Sequence, residues 1–68
     1  MQAEQFKIEV EKFEAETPNA VLVRTEDPNS VGQYITWFPL SQVHSIHRAG
    51  TSGWIMVTPW IAKQKGFL

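Results

Sequence analysis

The histidines and serines are the side chains of this sequence that could act as nucleophiles, bases or metal ligands. A serine nucleophile needs a histidine and a carboxylate close to it, but every Asp and Glu lies within the first 27 residues. Nothing around Ser41, Ser45 or Ser52 resembles the sharp turn that exposes a nucleophile. The four glycines are scattered and do not form a phosphate-binding loop. We therefore expect a protein that is not an enzyme.

His44 and His47 are the histidines of the chain. In a strand, their separation places the two side chains on opposite faces, and they would converge on one ion only if the segment were helical. A zinc site needs three or four protein ligands, and the chain has no cysteine. We predict no metal site and no cofactor, and we expect one histidine to be partly buried and the other solvated.

The acidic residues divide the chain into two electrostatic halves. Residues 1–27 hold all seven acidic residues together with three basic ones. Residues 28–68 hold no acidic residue, and their cations are Arg48, Lys63 and Lys65. Such an asymmetry points to a partner of opposite charge or to self-association, and it does not identify the partner.

The length and composition indicate one small folded domain over residues 1–68. Three Trp, four Phe and one Tyr in 68 residues favour a compact core, and the absence of cysteine is typical of a reducing cytosol. No apolar run approaches the roughly 18 residues of a membrane span, and the acidic start of the chain is unlike a signal peptide. We predict a soluble, cytoplasmic protein with no membrane partner, in which disorder is confined to residues 1–5.

Five short strands are predicted from alternating patterns and turn residues. Residues 6–10 alternate apolar and charged side chains, which is the pattern of a strand with one buried face. Apolar residues at positions 3, 6, 10 and 13 also fit helical spacing, so a helix over residues 6–13 stays open; Ile8 would then lie on the polar side and favours the strand. The remaining strands are predicted at residues 20–25, 34–38, 43–48 and 54–57, and the first of these should be the most buried.

One short helix is predicted over residues 59–65. Thr58 can cap it, Pro59 suits its first position, and Gly66 fits the left-handed position after its last turn. Five antiparallel strands and a terminal helix indicate a mainly β protein, a small SH3-like barrel. An OB-like barrel fits less well because only residues 39–42 separate the third and fourth strands.

Two stretches carry a resemblance to a known group of proteins. Residues 37–43 read Trp-Phe-Pro-Leu-Ser-Gln-Val, and residues 60–67 read Trp-Ile-Ala-Lys-Gln-Lys-Gly-Phe. They resemble the Trp-Ile-Pro-x-Ser-Gln-Ile-like and Trp-Leu-Ala-x-x-x-Gly-Leu-like motifs of small uncharacterised proteins of bacteriophages and other mobile elements. The resemblance covers roughly residues 20–68, and it implies a β-rich fold, a mobile-element origin and a bacterial host cell, and no reaction.

The acid-free half suggests one kind of binding surface. Ile35 and Trp37 point to one side of the third strand, and Tyr34, Thr36 and Phe38 to the other, so one set must face solvent or a partner. Exposed aromatic rings flanked by cations are how proteins hold single-stranded DNA or RNA. However, three Lys or Arg residues in this half are few for a dedicated nucleic-acid binder.

A protein partner explains the same charges differently. The acidic first segment can pair with the basic half within one subunit or across a homodimer. The resemblance then implies an adaptor or inhibitor that acts on a host complex. We predict a non-enzymatic protein-binding module, with single-stranded nucleic-acid binding as the alternative. Trp37 and Trp60 are predicted as core residues, and the predicted partner-binding residues are Tyr34, His44, His47, Arg48, Trp54, Lys63 and Lys65.

Overall fold

The computed structural model describes residues 4–68. The predicted disorder over residues 1–5 therefore falls partly on residues 1–3, which lie outside the described residues. The elements that the structure contains are, in chain order, β1 (Phe6–Val10), β2 (Lys12–Glu16), β3 (Ala20–Glu26), β4 (Gln33–Pro39), a single 3-10 turn (Leu40–Gln42), β5 (Val43–Ala49), β6 (Ser52–Val57) and α1 (Pro59–Gln64).

The strands form two antiparallel sheets of three strands each. The first sheet has the order β1-β6-β5, and the second has the order β2-β3-β4. The protein is mainly β with one short helix at its end, as the sequence predicted. Within residues 4–68 no hydrogen-bonded ladder joins β4 to β5, so the two sheets are not closed into a barrel.

The first predicted strand is a strand and not a helix, and a strand that the sequence did not predict, β2, follows it directly. β1 pairs with β6, with Ile8 opposite Ile55. At Glu11 the backbone changes partner, because its N–H donates to the carbonyl of Arg24 at 2.8 Å, and the chain continues as β2 beside β3. The expectation of five strands is therefore wrong, and the described residues form six.

The core lies between the inner faces of the two sheets and is closed by α1. Nine hydrophobic residues are buried, and they come from every sheet strand except β2 and β5 and from the helix: Ile8, Val10, Val21, Val23, Phe38, Ile55, Val57, Ile61 and Ala62. Val21, Val23 and Thr25 are all buried, so β3 contributes more buried residues than any other strand, as predicted.

The predictions for two tryptophans are wrong. Trp37 is 42% exposed and Trp60 is 59% exposed. Trp37 lies on the outer face because its neighbour Phe38, on the opposite side of the same strand, fills the core with no exposed surface. Trp60 is excluded because the helix turns Ile61 and Ala62 inward.

The helix has the ends that its sequence predicted. The Thr58 side chain accepts a hydrogen bond from the backbone N–H of Ile61 at 3.2 Å, and Pro59 occupies the first helical position. At the other end, the N–H of Phe67 donates to the carbonyl of Ala62, and Gly66 has a φ of 89°. This pattern is a Schellman motif, which requires a residue in the left-handed region, and it turns Phe67 back onto the inner face of the second sheet.

Candidate binding surfaces

The outer face of the second sheet exposes large apolar side chains. Trp37 on β4 lies directly opposite Leu22 on β3, and Ile35 lies opposite Arg24. Ile35 is 49% exposed and Trp37 42% exposed, while Leu22 is partly buried beside them. We call Leu22, Ile35 and Trp37 the outer apolar face. It is a two-strand surface whose position follows from the alternation along β3 and β4.

A hydrogen-bonded polar network borders the outer apolar face. The Arg24 guanidinium donates from Nε to Glu14 Oε2 at 2.7 Å and from Nη1 to Gln33 Oε1 at 2.9 Å. The Gln33 amide in turn donates to Glu11 Oε1 at 2.8 Å. Arg24 is therefore already paired with a carboxylate, and the border of this face offers an anion little uncompensated positive charge.

His47 and Trp54 form a stacked pair on the outer face of the first sheet. They are cross-strand neighbours on β5 and β6, and their ring centroids lie 3.8 Å apart with an angle of 12° between the planes. The Lys7 ammonium lies 4.9 Å from the Trp54 ring centroid. His47 therefore already occupies a face of the Trp54 ring on which a base could otherwise stack.

Arg48 contacts the acidic part of its own chain. Its guanidinium forms an ion pair with Glu16, and its central carbon lies 4.4 Å from the centroid of the Phe13 ring. Both side chains of the ion pair are about half exposed. This contact joins the acid-free half of the chain to its acidic half, as the pairing of the two halves within one subunit predicts.

The remaining predicted site residues are dispersed. Tyr34 is partly buried and lies 6.2 Å from Phe67 between ring centroids. The Lys65 ammonium lies 5.9 Å from the Phe38 ring, and Lys63 and His44 are exposed on α1 and β5. His47 is also exposed, so the expectation of one partly buried histidine is wrong. The structure thus brings His47 and Trp54 into direct contact and leaves the other predicted residues on separate surfaces.

The sequence interpretation missed Leu22 and Ile35 as surface residues. The alternation over residues 34–38 places Ile35 on the same side as Trp37, and the prediction of Trp37 as a core residue placed Ile35 in the core with it. For Leu22, the run from Ala20 to Val23 is apolar throughout and carries no comparable signal.

Residues 4–68 contain no cluster of three or more His, Asp or Glu side chains that could hold a metal ion. No helix among them is long and apolar enough to span a membrane. Comparison with family models, with curated proteins and with solved structures found no match in any of the three.

Proposed function

We propose that this protein is a non-enzymatic protein-binding module and that the outer apolar face is its contact surface. The observation that carries the proposal is the exposure of Ile35 and Trp37 side by side on one sheet face. Exposed aromatic and aliphatic groups that adjoin a satisfied polar network have the composition of a protein interface, with an apolar centre and a polar rim.

The energy available from this face fits a hot spot of an interface. Covering the exposed part of Trp37 removes roughly 100 Å² from water if a tryptophan can bury about 250 Å². At about 25 cal/mol per Å², that burial stabilises a complex by roughly 2.5 kcal/mol. Tryptophans of this energetic weight are the usual anchors of protein interfaces.

The charges around the outer apolar face favour a protein over nucleic acid. A phosphate backbone requires uncompensated cations beside the aromatic ring. Here Arg24 is held by Glu14, and Lys12 lies 4.0 Å from the same carboxylate. The exposed Trp60 and Lys63, three residues apart on α1, support single-stranded DNA or RNA as a second candidate, but they supply one ring and one cation in place of a basic stripe.

We also propose a mobile-element origin and an SH3-like arrangement of the strands. The resemblance of residues 37–43 and 60–67 to mobile-element proteins supports an adaptor or inhibitor that acts on a host complex in the bacterial cytoplasm. An SH3-like arrangement is supported by the junction at Glu11, where one chain segment passes from the first sheet to the second, since strands that bend between sheets form the corners of small barrels. A homodimer would use the same exposed face against a second copy.

Site-specific photo-crosslinking tests the proposed surface. A benzophenone amino acid placed at Ile35 should crosslink one protein in nuclease-treated host lysate. The same group at Trp60 should not, because Trp60 is exposed on α1, outside the outer apolar face. Equal crosslinking from both positions, or crosslinking to nucleic acid from Ile35 without nuclease, would contradict the proposal. A crosslinked species with twice the mass of the chain would identify a second copy as the partner. Light scattering of the purified protein should then show a dimer.

A titration with oligothymidine separates the nucleic-acid candidate. If bases stack on an exposed tryptophan, intrinsic fluorescence should fall saturably and the affinity should weaken steeply as salt is raised. We expect no saturable change at low salt. A salt-dependent transition that is lost in Trp60→Phe would instead establish the second candidate.

A further inference from the structure

A groove opens between β1 and the end of β3, away from the outer apolar face. It has a volume of about 240 Å³ and is lined by residues 6–9, by residues 25–28 and by Phe67. The groove exists because the chain segments diverge here: β2 stays beside β3, whereas β1 turns away to pair with β6. The hydrogen bond from Glu11 to Arg24 marks the closed end of this opening.

The edge of β1 that faces the groove has no neighbouring strand among the described elements. β1 is the first strand of its sheet, and its ladder with β6 uses one side only. An edge strand presents a row of backbone N–H and C=O groups that another extended chain can pair with. Residues 6–9 span about 13 Å at roughly 3.3 Å per residue, so a partner strand of about four residues fits along them.

The walls of the groove combine an apolar floor with an acidic rim. Phe6 and Phe67 contribute apolar surface, and Glu26 and Asp27 contribute carboxylates. Lys7 and Glu9 also line the groove, but they form an ion pair at 3.4 Å on the outer face of the sheet, so together they add no net charge. The rim therefore carries more negative than positive charge.

We propose that this groove binds an extended peptide segment of a partner protein in which basic and apolar residues alternate. The peptide adds as a strand to β1 through backbone hydrogen bonds, which is a common mode of peptide recognition. Because side chains alternate along a strand, every second side chain packs on Phe6 and Phe67 while Lys or Arg residues between them reach toward the acidic rim. A strand from the acidic half of a second copy would be repelled by the same carboxylates.

This inference does not depend on the proposed function, because the groove and the outer apolar face share no residue. Amide chemical shifts of the labelled protein report which surface is occupied. An eight-residue peptide of alternating Lys and Val should shift the amides of residues 6–9 and 25–28 and leave those of Ile35 and Trp37 unchanged. A peptide of alternating Glu and Val should bind at least fivefold more weakly.

Two controls make the test specific to strand addition and to the rim. A Lys and Val peptide with methylated amides on its pairing edge should lose binding, because it cannot donate hydrogen bonds to β1. Glu26→Gln, at an exposed position, should weaken binding about fivefold, which corresponds to roughly 1 kcal/mol. Glu16→Gln removes the same charge outside the groove and should change the affinity less than twofold.

Four results would contradict the proposed binding of a basic peptide in this groove. Shifts that map outside residues 6–9 and 25–28, or equal affinities of the basic and acidic peptides, would remove the proposed recognition. Undiminished binding of the methylated peptide would exclude strand addition. Concentration-dependent shifts of residues 6–9 in the absence of peptide would assign the groove to a second copy of the chain.

Discussion

Replacing Phe38 by Ala should destabilise this protein far more than replacing its neighbour Trp37 by Ala. The two residues are adjacent on β4 and are both large aromatics, but they point to opposite faces of the second sheet. Phe38 has no exposed surface, whereas Trp37 is 42% exposed. The pair therefore tests which face of the sheet is the core, because the two positions are adjacent on the same strand.

The expected difference follows from what each side chain contacts. Phe38 lies in the core between the sheets and packs against Phe67 at 6.2 Å between ring centroids, and truncation of a buried Phe costs about 3–5 kcal/mol. Trp37 packs on its cross-strand neighbour Leu22, and such surface pairs contribute about 0.2–1 kcal/mol relative to alanine. We expect the two variants to differ by at least about 2 kcal/mol.

Urea denaturation followed by far-ultraviolet circular dichroism measures this difference without relying on tryptophan fluorescence. A domain of this length has a total stability of roughly 3–10 kcal/mol, so Phe38→Ala should remove a large share of it. Phe38→Leu provides a milder variant, which should still be less stable than Trp37→Ala. Equal losses, or a larger loss for Trp37→Ala, would show that the inner and outer faces of the second sheet have been assigned wrongly.

Two further substitutions test local features of the fold. Gly53→Ala should destabilise the protein by roughly 2–5 kcal/mol, because a β-carbon there would lie 1.9 Å from the carbonyl oxygen of His47 and because a φ of 147° is strained for alanine. Gly50→Ala, where a β-carbon would meet no neighbouring atom, should cost only about 1 kcal/mol. Similar unfolding midpoints of the two variants in urea would contradict the close approach at Gly53. Thr58→Ala should lower the midpoint of thermal unfolding by about 4–8 °C, because it removes the helix cap and the hydrogen bond that Thr58 Oγ1 donates to Gln42 Oε1. Thr58→Ser should restore the midpoint, and an unchanged midpoint in Thr58→Ala would mean that this hydroxyl does not stabilise the fold.

The elements with local chemical signals could be predicted from the sequence. The strand periodicity over residues 6–10 and 34–38 and the cap residues of α1 depend on neighbouring side chains and backbone preferences. What periodicity does not determine is which of two opposite faces becomes the core. For β4, the size of Trp37 suggested burial, but the inner side is occupied by Phe38, and both cannot face inward from adjacent positions.

The features that depend on residues far apart in the chain could not be predicted from the local sequence pattern. The additional strand β2 forms because the backbone exchanges β6 for β3 as its partner at Glu11, and nothing in the local residues marks that exchange. The charge asymmetry was visible at once, yet its meaning for Arg48 depended on Glu16, which lies 32 positions earlier. The stack of His47 on Trp54 likewise requires the register between β5 and β6.

The affinity of the crosslinked partner for three forms of this protein tests the proposed binding surface most directly. With the partner purified and nucleic acid removed, Trp37→Ala should weaken binding by roughly 30-fold or more, which corresponds to about 2 kcal/mol. Trp60→Ala, which removes a more exposed tryptophan from another surface, should bind as tightly as the unmodified protein. Unaltered affinity in Trp37→Ala, with the loss confined to Trp60→Ala, would contradict the assignment of the outer apolar face as the site of binding.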